Sequence, residues 1–248
     1  MNIFRRLSVF AEKYFFNPKW RCISCGKEIF DESSYFCEEC KNKLPIREGA
    51  ICSHCGRAVP AFTEYCDTCK NRLTAIDKGR SAFEYDKPIK GLIKRAKYDG
   101  EKYILTALSE YLASVYFKNY FAADVSVYVP MTERAEKKRG YNHGKILAEQ
   151  TARITGVPVA HCLVKTKETQ RQAKLNGEKR RKNLIGAFKV ADKRAVEDKT
   201  VLIIDDVTTT GATGEAVAEA LKKAGARSVL LLTVAAVSFS DSKQIVKK

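Results

Sequence analysis

The most informative stretch of this 248-residue chain is Val201-Leu202-Ile203-Ile204-Asp205-Asp206-Val207-Thr208-Thr209-Thr210-Gly211-Ala212-Thr213. Its four branched apolar residues predict a buried strand, and the threonines and glycine that follow predict a turn into a helix. Helix N-terminal amides carry partial positive charge and threonine hydroxyls add donors, so this turn is typical of a phosphate site. We expect the two acids to lie at a solvent-facing strand end, where carboxylates suit sugar hydroxyls or a magnesium ion.

The run at 201–213 has two other interpretations besides a phosphate site. An apolar strand ending in two acids also resembles the magnesium-binding strand of P-loop NTPases, but no G-x-x-x-x-G-K-[ST] motif occurs in the chain. The acids could instead be purely structural caps. Two adjacent acids followed by three threonines favour the phosphate site over that interpretation.

Apolar periodicity on both sides of this run predicts alternating helices and strands. Such alternation, with near-continuous apolar strands, is typical of an α/β fold in which helices cover both faces of a parallel sheet. Ligands bind at the carboxyl ends of such strands, which points to the residues after Pro130 and Ile204. We predict helices over 88–98, 104–115, 142–154 and 213–224, and strands over 124–130, 157–164, 200–204 and 228–235.

Eight of the nine cysteines form four C-x-x-C pairs near the start of the chain. Each pair aims two sulfurs at one point about 2.3 Å away, and two pairs complete the tetrahedron that zinc prefers. We therefore predict two closed, structural zinc sites. Sequential pairing, first with second and third with fourth, closes shorter loops than the cross-braced alternative. The predicted ligands are Cys22, Cys25, Cys37, Cys40, Cys52, Cys55, Cys66 and Cys69.

Disulfides and redox chemistry are the competing interpretations of these pairs. Disulfides need an oxidising compartment, and a redox C-x-x-C pair would occur once after a strand, not four times in succession. Gly26 and Gly56 directly follow the second cysteine of their pairs, where a zinc knuckle benefits from positive φ. His54 lies inside the third pair, and we interpret it as a surface residue because each set already has four sulfurs.

The end of the cysteine pairs marks a predicted domain boundary. We assign an N-terminal helix and a double zinc module to residues 1–79, and the α/β domain to residues 80–248. Apolar residues at helical spacing over 3–15 predict the helix. No apolar run reaches the roughly 18 residues of a spanning helix, and Glu12 and Lys13 interrupt the one segment that resembles a signal peptide. We expect a cytoplasmic protein without a membrane span.

The chain is strongly basic, with a formal net charge of +16. This charge favours polyanionic partners such as nucleic acid or phosphorylated metabolites. Residues 165–183 carry eight basic residues against two acids. Within this segment Lys179, Arg180, Arg181 and Lys182 are candidates for contacts with nucleic acid or diphosphate, although such a run is equally often a solvated face.

The run at 201–213 resembles the signature of type I phosphoribosyltransferases, which bind 5-phosphoribosyl-1-diphosphate (PRPP). The order of the remaining features is similar to the ComF family of bacterial competence-associated, phosphoribosyltransferase-like proteins. In this chain the cysteine pairs are followed by Lys97-Tyr98, Arg139-Gly140-Tyr141-Asn142, Gly186-Ala187-Phe188 and then the PRPP run. The resemblance implies a type I phosphoribosyltransferase-like parallel sheet flanked by helices after the zinc module.

The same resemblance implies roles for individual residues. Asp205 and Asp206 would meet the ribose 2′- and 3′-hydroxyls, and Arg139 would neutralise the diphosphate during catalysis. Magnesium would arrive with the diphosphate. The 5′-phosphate would be held by Thr208, Thr209, Thr210, Gly211, Ala212 and Thr213.

Two functions are compatible with these residues. As an enzyme, the protein would transfer ribose 5-phosphate from PRPP to an acceptor that the sequence does not identify. As a binding module, it would contact single-stranded DNA and keep the PRPP site as a phosphate-binding or regulatory pocket. The resemblance implies a role in DNA uptake during natural transformation, together with a helicase-like partner.

Overall fold

The computed structural model describes residues 20–31, 34–70, 74–169 and 183–237. The predicted N-terminal helix over 3–15 and the basic run 179–182 lie outside these residues. The chain divides into two compact units, Met1–Leu44 and Pro45–Lys248. The predicted boundary near residue 79 does not coincide with this division, because the second set of cysteines belongs to the larger unit.

The smaller unit contains the first set of cysteines. A single antiparallel bridge pairs Arg21 with Glu28 around the first knuckle, and the second pair lies at the start of helix α1 (Glu38–Asn42). Lys27 and Lys43 both donate to the exposed Glu39, at 2.8 and 2.7 Å. Exposed ion pairs of this kind contribute little to stability.

The larger unit begins with the second set of cysteines and continues as an α/β domain. The first half of its elements comprises α2 (Asp67–Lys70), β1 (Lys78–Glu84), α3 (Lys87–Tyr98), α4 (Tyr103–Lys118), β2 (Val125–Tyr128), α5 (Glu133–Arg139) and α6 (His143–Thr155). The second half comprises β3 (Leu163–Lys165), β4 (Phe188–Val190), a 3₁₀ turn (Lys193–Ala195), β5 (Thr200–Thr208), α7 (Ala212–Lys223) and β6 (Ser228–Ala236).

Four strands form one parallel sheet in the order β1-β6-β5-β2. The two long central strands pair along their whole length, with Thr200 opposite Ser228 and Thr208 opposite Ala236. Strands β3 and β4 form a separate antiparallel ribbon. The predicted fold class, a parallel sheet flanked by helices, is therefore confirmed.

Alternation along the central strands gives the sheet two apolar faces. Val201, Ile203, Val229 and Leu231 belong to one buried cluster with Val217 of α7. The intervening residues of the same strands point to the opposite face, where α4 and α6 contact the sheet. The predicted helices on both faces are confirmed. Among the described residues, no helix combines the length and apolar character needed to span a membrane.

Four of the elements differ from the sequence prediction. The strand expected over 157–164 is reduced to one bridge, Val159 with Ser126, followed by the short β3. Strand β1 was not predicted, and neither was α5, which lies between the predicted strand over 124–130 and the predicted helix over 142–154. Strand β5 runs four residues beyond Ile204, because its pairing with β6 continues past the acids.

Candidate functional site

The carboxyl end of β5 brings the predicted phosphate loop to the edge of the sheet. Asp205 and Asp206 lie on the strand itself, and Gly211 has a φ of 76° immediately before α7. The amide of Ala212 donates to Thr210 Oγ1 at 3.4 Å, so a threonine side chain caps the loop. Thr208 is buried within the strand, which leaves the partly exposed loop residues to face a ligand: Thr209, Thr210, Gly211 and Thr213.

The expectation that the two acids face solvent is wrong. Asp205 is 9% exposed and Asp206 is 6% exposed. Side chains from two helices cover them: Lys97 near the end of α3 forms an ion pair with Asp206, and His143 at the start of α6 lies 2.9 Å from the same carboxylate through Nε2. Asp205 accepts the amide of Asp206 at 2.8 Å.

Arg139 fixes the tautomer of His143. Its Nη1 lies 2.8 Å from His143 Nδ1, and a guanidinium can only donate. Nδ1 therefore accepts, Nε2 carries the proton, and this proton is donated to Asp206. The sequence prediction placed Arg139 at the diphosphate; in the structure its guanidinium contacts His143 and its Cζ lies 5.4 Å from the Tyr98 ring centroid.

The two carboxyl groups have different electrostatic environments. Burial and the neighbouring charge of Asp206 raise the pKa of Asp205 to about 7. Burial also opposes ionisation of Asp206, but Lys97 and His143 outweigh it and hold the Asp206 pKa well below its usual range. Burial lowers the pKa of His143, so its ring is neutral at physiological pH. The site thus pairs one carboxylate that stays ionised with one that titrates near neutrality.

The segment between α5 and α6 positions these groups. Tyr141 donates its hydroxyl proton to the Ala96 carbonyl, which holds the segment against the end of α3. Asn142 caps α6 by accepting the amides of Gly144 at 2.9 Å and Lys145 at 3.2 Å. A side chain at Gly144 would lie 3.3 Å from the Val129 carbonyl, so this glycine lets the helix start close to β2. His143 therefore reaches the end of β5.

A magnesium ion held by the protein alone does not fit this site well. One nitrogen of His143 and carboxylate oxygens of Asp205 and Asp206 lie within 4.8 Å of one another. The ammonium group of Lys97 already pairs with Asp206, however, and would repel a cation placed there. Magnesium also prefers oxygen ligands and usually binds in company with substrate phosphates.

Both predicted zinc sites have the geometry that zinc requires. The sulfurs of Cys22, Cys25, Cys37 and Cys40 lie within 4.8 Å of one another, as do those of Cys52, Cys55, Cys66 and Cys69. Closest approaches of 3.7 Å in each cluster match the edge of a zinc–sulfur tetrahedron, about 3.8 Å for bonds of about 2.3 Å. The predicted sequential pairing is confirmed, and Gly26 and Gly56 have the expected positive φ.

We expect the purified protein to contain two zinc ions and Cys37→Ser to contain about one. The substitution removes one ligand of the first cluster and should destabilise that unit, because metal binding supplies its folding energy. Zinc analysis of the two proteins measures the change. The matched control is Cys162→Ser, since this ninth cysteine lies in the core of the sheet and should leave two zinc ions bound. A zinc-free protein with oxidised thiols would contradict the prediction.

His143 is a candidate site residue that the sequence prediction missed. One local signal pointed to it, because it is the first helical residue after Arg139-Gly140-Tyr141-Asn142. Lys97 was noted only as part of the family resemblance. Neither residue is near the acids in sequence, so their contacts with Asp206 depend on the tertiary fold.

Two known domain families match the two parts of the chain. Residues 13–70 match the double zinc ribbon domain family, and residues 137–244 match the phosphoribosyl transferase domain family. The chain is 29% identical to competence protein F of Haemophilus influenzae, over 87% of this chain and 95% of that protein.

Two further relatives have similar coverage. Competence protein ComFC of Bacillus subtilis is 29% identical over 76% of this chain and 78% of its own length. The DNA utilization protein YhgH of Escherichia coli is 27% identical over 78% of this chain and 93% of its own length. The chain is therefore a homologue of the ComF-type competence and DNA utilization proteins, and its own double zinc ribbon precedes a phosphoribosyl transferase domain.

Proposed function

We propose that the protein binds PRPP at the carboxyl end of β5. One observation carries this proposal: two buried carboxyl groups directly precede a loop of threonines and a helix N-terminus, the arrangement that suits a ribose diol joined to a phosphate. Thr209, Thr210, Gly211 and Thr213 would hold the 5′-phosphate, and Asp205 and Asp206 would accept hydrogen bonds from the ribose hydroxyls. Thr208 and Ala212 would support the loop from its buried side.

The surrounding cations support an anionic ligand. Lys97 pairs with Asp206 and Arg139 contacts His143, while the raised pKa of Asp205 limits the negative charge at neutral pH. Magnesium would enter with the diphosphate, whose oxygens supply the ligands that the protein lacks.

The proposed activity is transfer of ribose 5-phosphate from PRPP to a nucleophile. The new bond to C1 forms as the bond from C1 to the diphosphate oxygen breaks, and diphosphate leaves with the electron pair. Negative charge then builds on diphosphate, where nearby cations stabilise it. Arg139 is the nearest candidate, provided that it exchanges His143 for the diphosphate when the ligand is bound.

Incubation with labelled PRPP and magnesium tests this function. Diphosphate release should be measured alone, with a panel of nucleobases and with single-stranded DNA. Turnover with any acceptor supports the transferase. PRPP binding without turnover supports a ligand-regulated binding protein, and failure to bind PRPP overturns the proposal.

A second candidate function, binding of single-stranded DNA on the cytoplasmic side with a helicase-like partner, has separate support. Relatives named as DNA utilization and competence proteins cover most of the chain, and residues 165–183 are strongly basic. The retained PRPP site would then serve as a regulatory pocket. Lys179, Arg180, Arg181 and Lys182 are proposed contacts, although they lie outside the described residues.

We expect binding to single-stranded DNA to weaken steeply with salt and to depend on the run 179–182. Each neutralised phosphate contributes a slope of about −0.7 to a plot of log affinity against log salt concentration. Titrations between low and physiological salt should therefore give a smaller slope for a variant with all four residues changed to alanine. Affinity that is independent of salt, or an unchanged slope in this variant, would show that the run is only a solvated surface.

A further inference from the structure

A buried arginine joins the second cysteine cluster to the proposed phosphate loop. Arg57 follows Gly56 in the zinc knuckle and is 9% exposed. Its Nε donates to Cys55 Sγ at 3.4 Å and its Nη2 donates to Cys66 Sγ at 3.1 Å. Its third nitrogen, Nη1, donates to the backbone carbonyl of Thr209 at 3.2 Å. One guanidinium therefore contacts two proposed zinc ligands and the loop at once.

We propose that Arg57 is a positioning residue that uses the second zinc–thiolate cluster as an anchor to fix the phosphate loop in its binding conformation. The inference rests on the proposed PRPP site, and it gives the second zinc ion a role in ligand affinity in addition to folding. Arg57 does not touch the ligand in this proposal. It acts through the peptide group between Thr209 and Thr210.

The planar trans peptide explains how a contact on one side of the loop controls the other. The carbonyl of Thr209 and the amide of Thr210 point in opposite directions within one plane. Because Arg57 holds the carbonyl towards the cysteine cluster, the amide of Thr210 points away from it. Loss of this hydrogen bond removes one constraint on the orientation of the peptide, and a carbonyl that turned towards an incoming phosphate would repel it.

Metal binding gives the anchor its strength. Zinc keeps its cysteine ligands deprotonated, and thiolate sulfurs accept hydrogen bonds from charged donors. Cys55 and Cys66 then balance the positive charge of Arg57 in a buried site. Removal of the metal would weaken both acceptors and leave the guanidinium without a fixed orientation.

The anchor is rigid relative to the sheet. A side chain on Gly56 would lie 2.7 Å from the Gly79 carbonyl, and one on Gly79 would lie 2.5 Å from the His54 carbonyl, so the knuckle and β1 touch backbone to backbone. His54, predicted to be a surface residue, is partly buried, and its Nδ1 lies 3.0 Å from the Ile76 carbonyl. Strand β1 pairs with β6, and β6 pairs with β5, which carries the loop. Arg57 thus connects the loop that follows β5 to a knuckle that is itself packed against the sheet.

The test compares Arg57→Met and Arg57→Lys with the matched control Arg80→Lys. Lysine keeps the charge, but its three donors share one nitrogen and cannot span the acceptors that three separate guanidinium nitrogens reach. Arg80 also contacts the knuckle, through the Ser53 carbonyl at 3.4 Å, and its other hydrogen bonds go to Gly79 and Asn119. The measurements are zinc content, PRPP affinity by calorimetry, and hydrogen exchange of the loop amides 209–213 relative to α6 without ligand.

In both Arg57 variants, exchange of the loop amides should be faster than in the wild type, while exchange in α6 should not change. PRPP affinity should fall roughly tenfold in Arg57→Met. Arg80→Lys should resemble the wild type in both measurements. Unchanged loop exchange in both Arg57 variants, or loop and α6 exchange that rise together, would overturn the inference. Failure of the wild type to bind PRPP would overturn the proposed function instead, and loop exchange would still decide whether Arg57 positions the loop.

Discussion

Replacing Asp205 and Asp206 together with asparagine is expected to weaken PRPP binding by about tenfold or more. Both carboxyl groups would accept hydrogen bonds from the ribose hydroxyls, and the bond to the ionised Asp206 is charge-assisted, a contact of roughly 1.5 to 3 kcal/mol. A loss of about 1.4 kcal/mol corresponds to tenfold in affinity. Asparagine keeps the volume of a buried side chain, which alanine would not.

Calorimetry on the folded double variant measures this effect. Asp205→Asn alone should give part of the loss, since it leaves the ion pair of Lys97 with Asp206 in place. The matched control is Asp77→Asn. Asp77 also pairs with a lysine, Lys222 at 2.9 Å, but it lies at the opposite end of the sheet beside Val229. Unchanged PRPP affinity in the folded double variant would mean that this loop is not the ribose-phosphate site.

Asp206→Ala is expected to lower the free energy of unfolding by about 3 kcal/mol. The substitution leaves the ammonium group of Lys97, whose side chain is 21% exposed, without its ion pair. The loss should be much smaller when Lys97→Met is combined with Asp206→Ala, because no buried charge is then left unpaired. Urea unfolding of the wild type, both single variants and the double variant completes the cycle.

Lys94→Met provides the control for this cycle. Lys94 is an exposed lysine on the same helix, so its substitution should not restore stability to Asp206→Ala. If stability recovers when Lys97→Met is added to Asp206→Ala, but not when Lys94→Met is added, the stability loss is assigned to the buried ion pair. Additive losses for Lys97→Met and Asp206→Ala would instead show that the two side chains are not energetically coupled in the folded protein.

Local pattern was sufficient for most of the sheet and for the zinc clusters. The apolar run 201–204 is buried on both sides, and such a run predicts a central strand. Paired cysteines at short spacing predict their own geometry, because a metal tetrahedron restricts which arrangements are possible. These parts of the fold depend on residues that are neighbours in sequence.

The parts that were missed depend on contacts between distant residues. The segment 78–84 contains three charged residues and lacks apolar periodicity, so its strand forms only because β6 offers a parallel edge. The burial of Asp206 requires Lys97 and His143, which precede it in the sequence by 109 and 63 residues. No local pattern encodes these contacts. Sequence analysis could therefore place the acids at the end of the strand, but it could not determine their ionisation states.

The backbone contact between Gly56 and Gly79 has a consequence for how this architecture can change in evolution. Modules joined through side chains can be exchanged, because substitutions adjust the surface between them. Here the second ribbon and the first strand approach backbone to backbone at Gly56 and Gly79, and any residue larger than glycine at either position would force them apart. We therefore expect the second ribbon to be inherited together with the sheet, because a lineage that lost it would have to rebuild the edge of the domain.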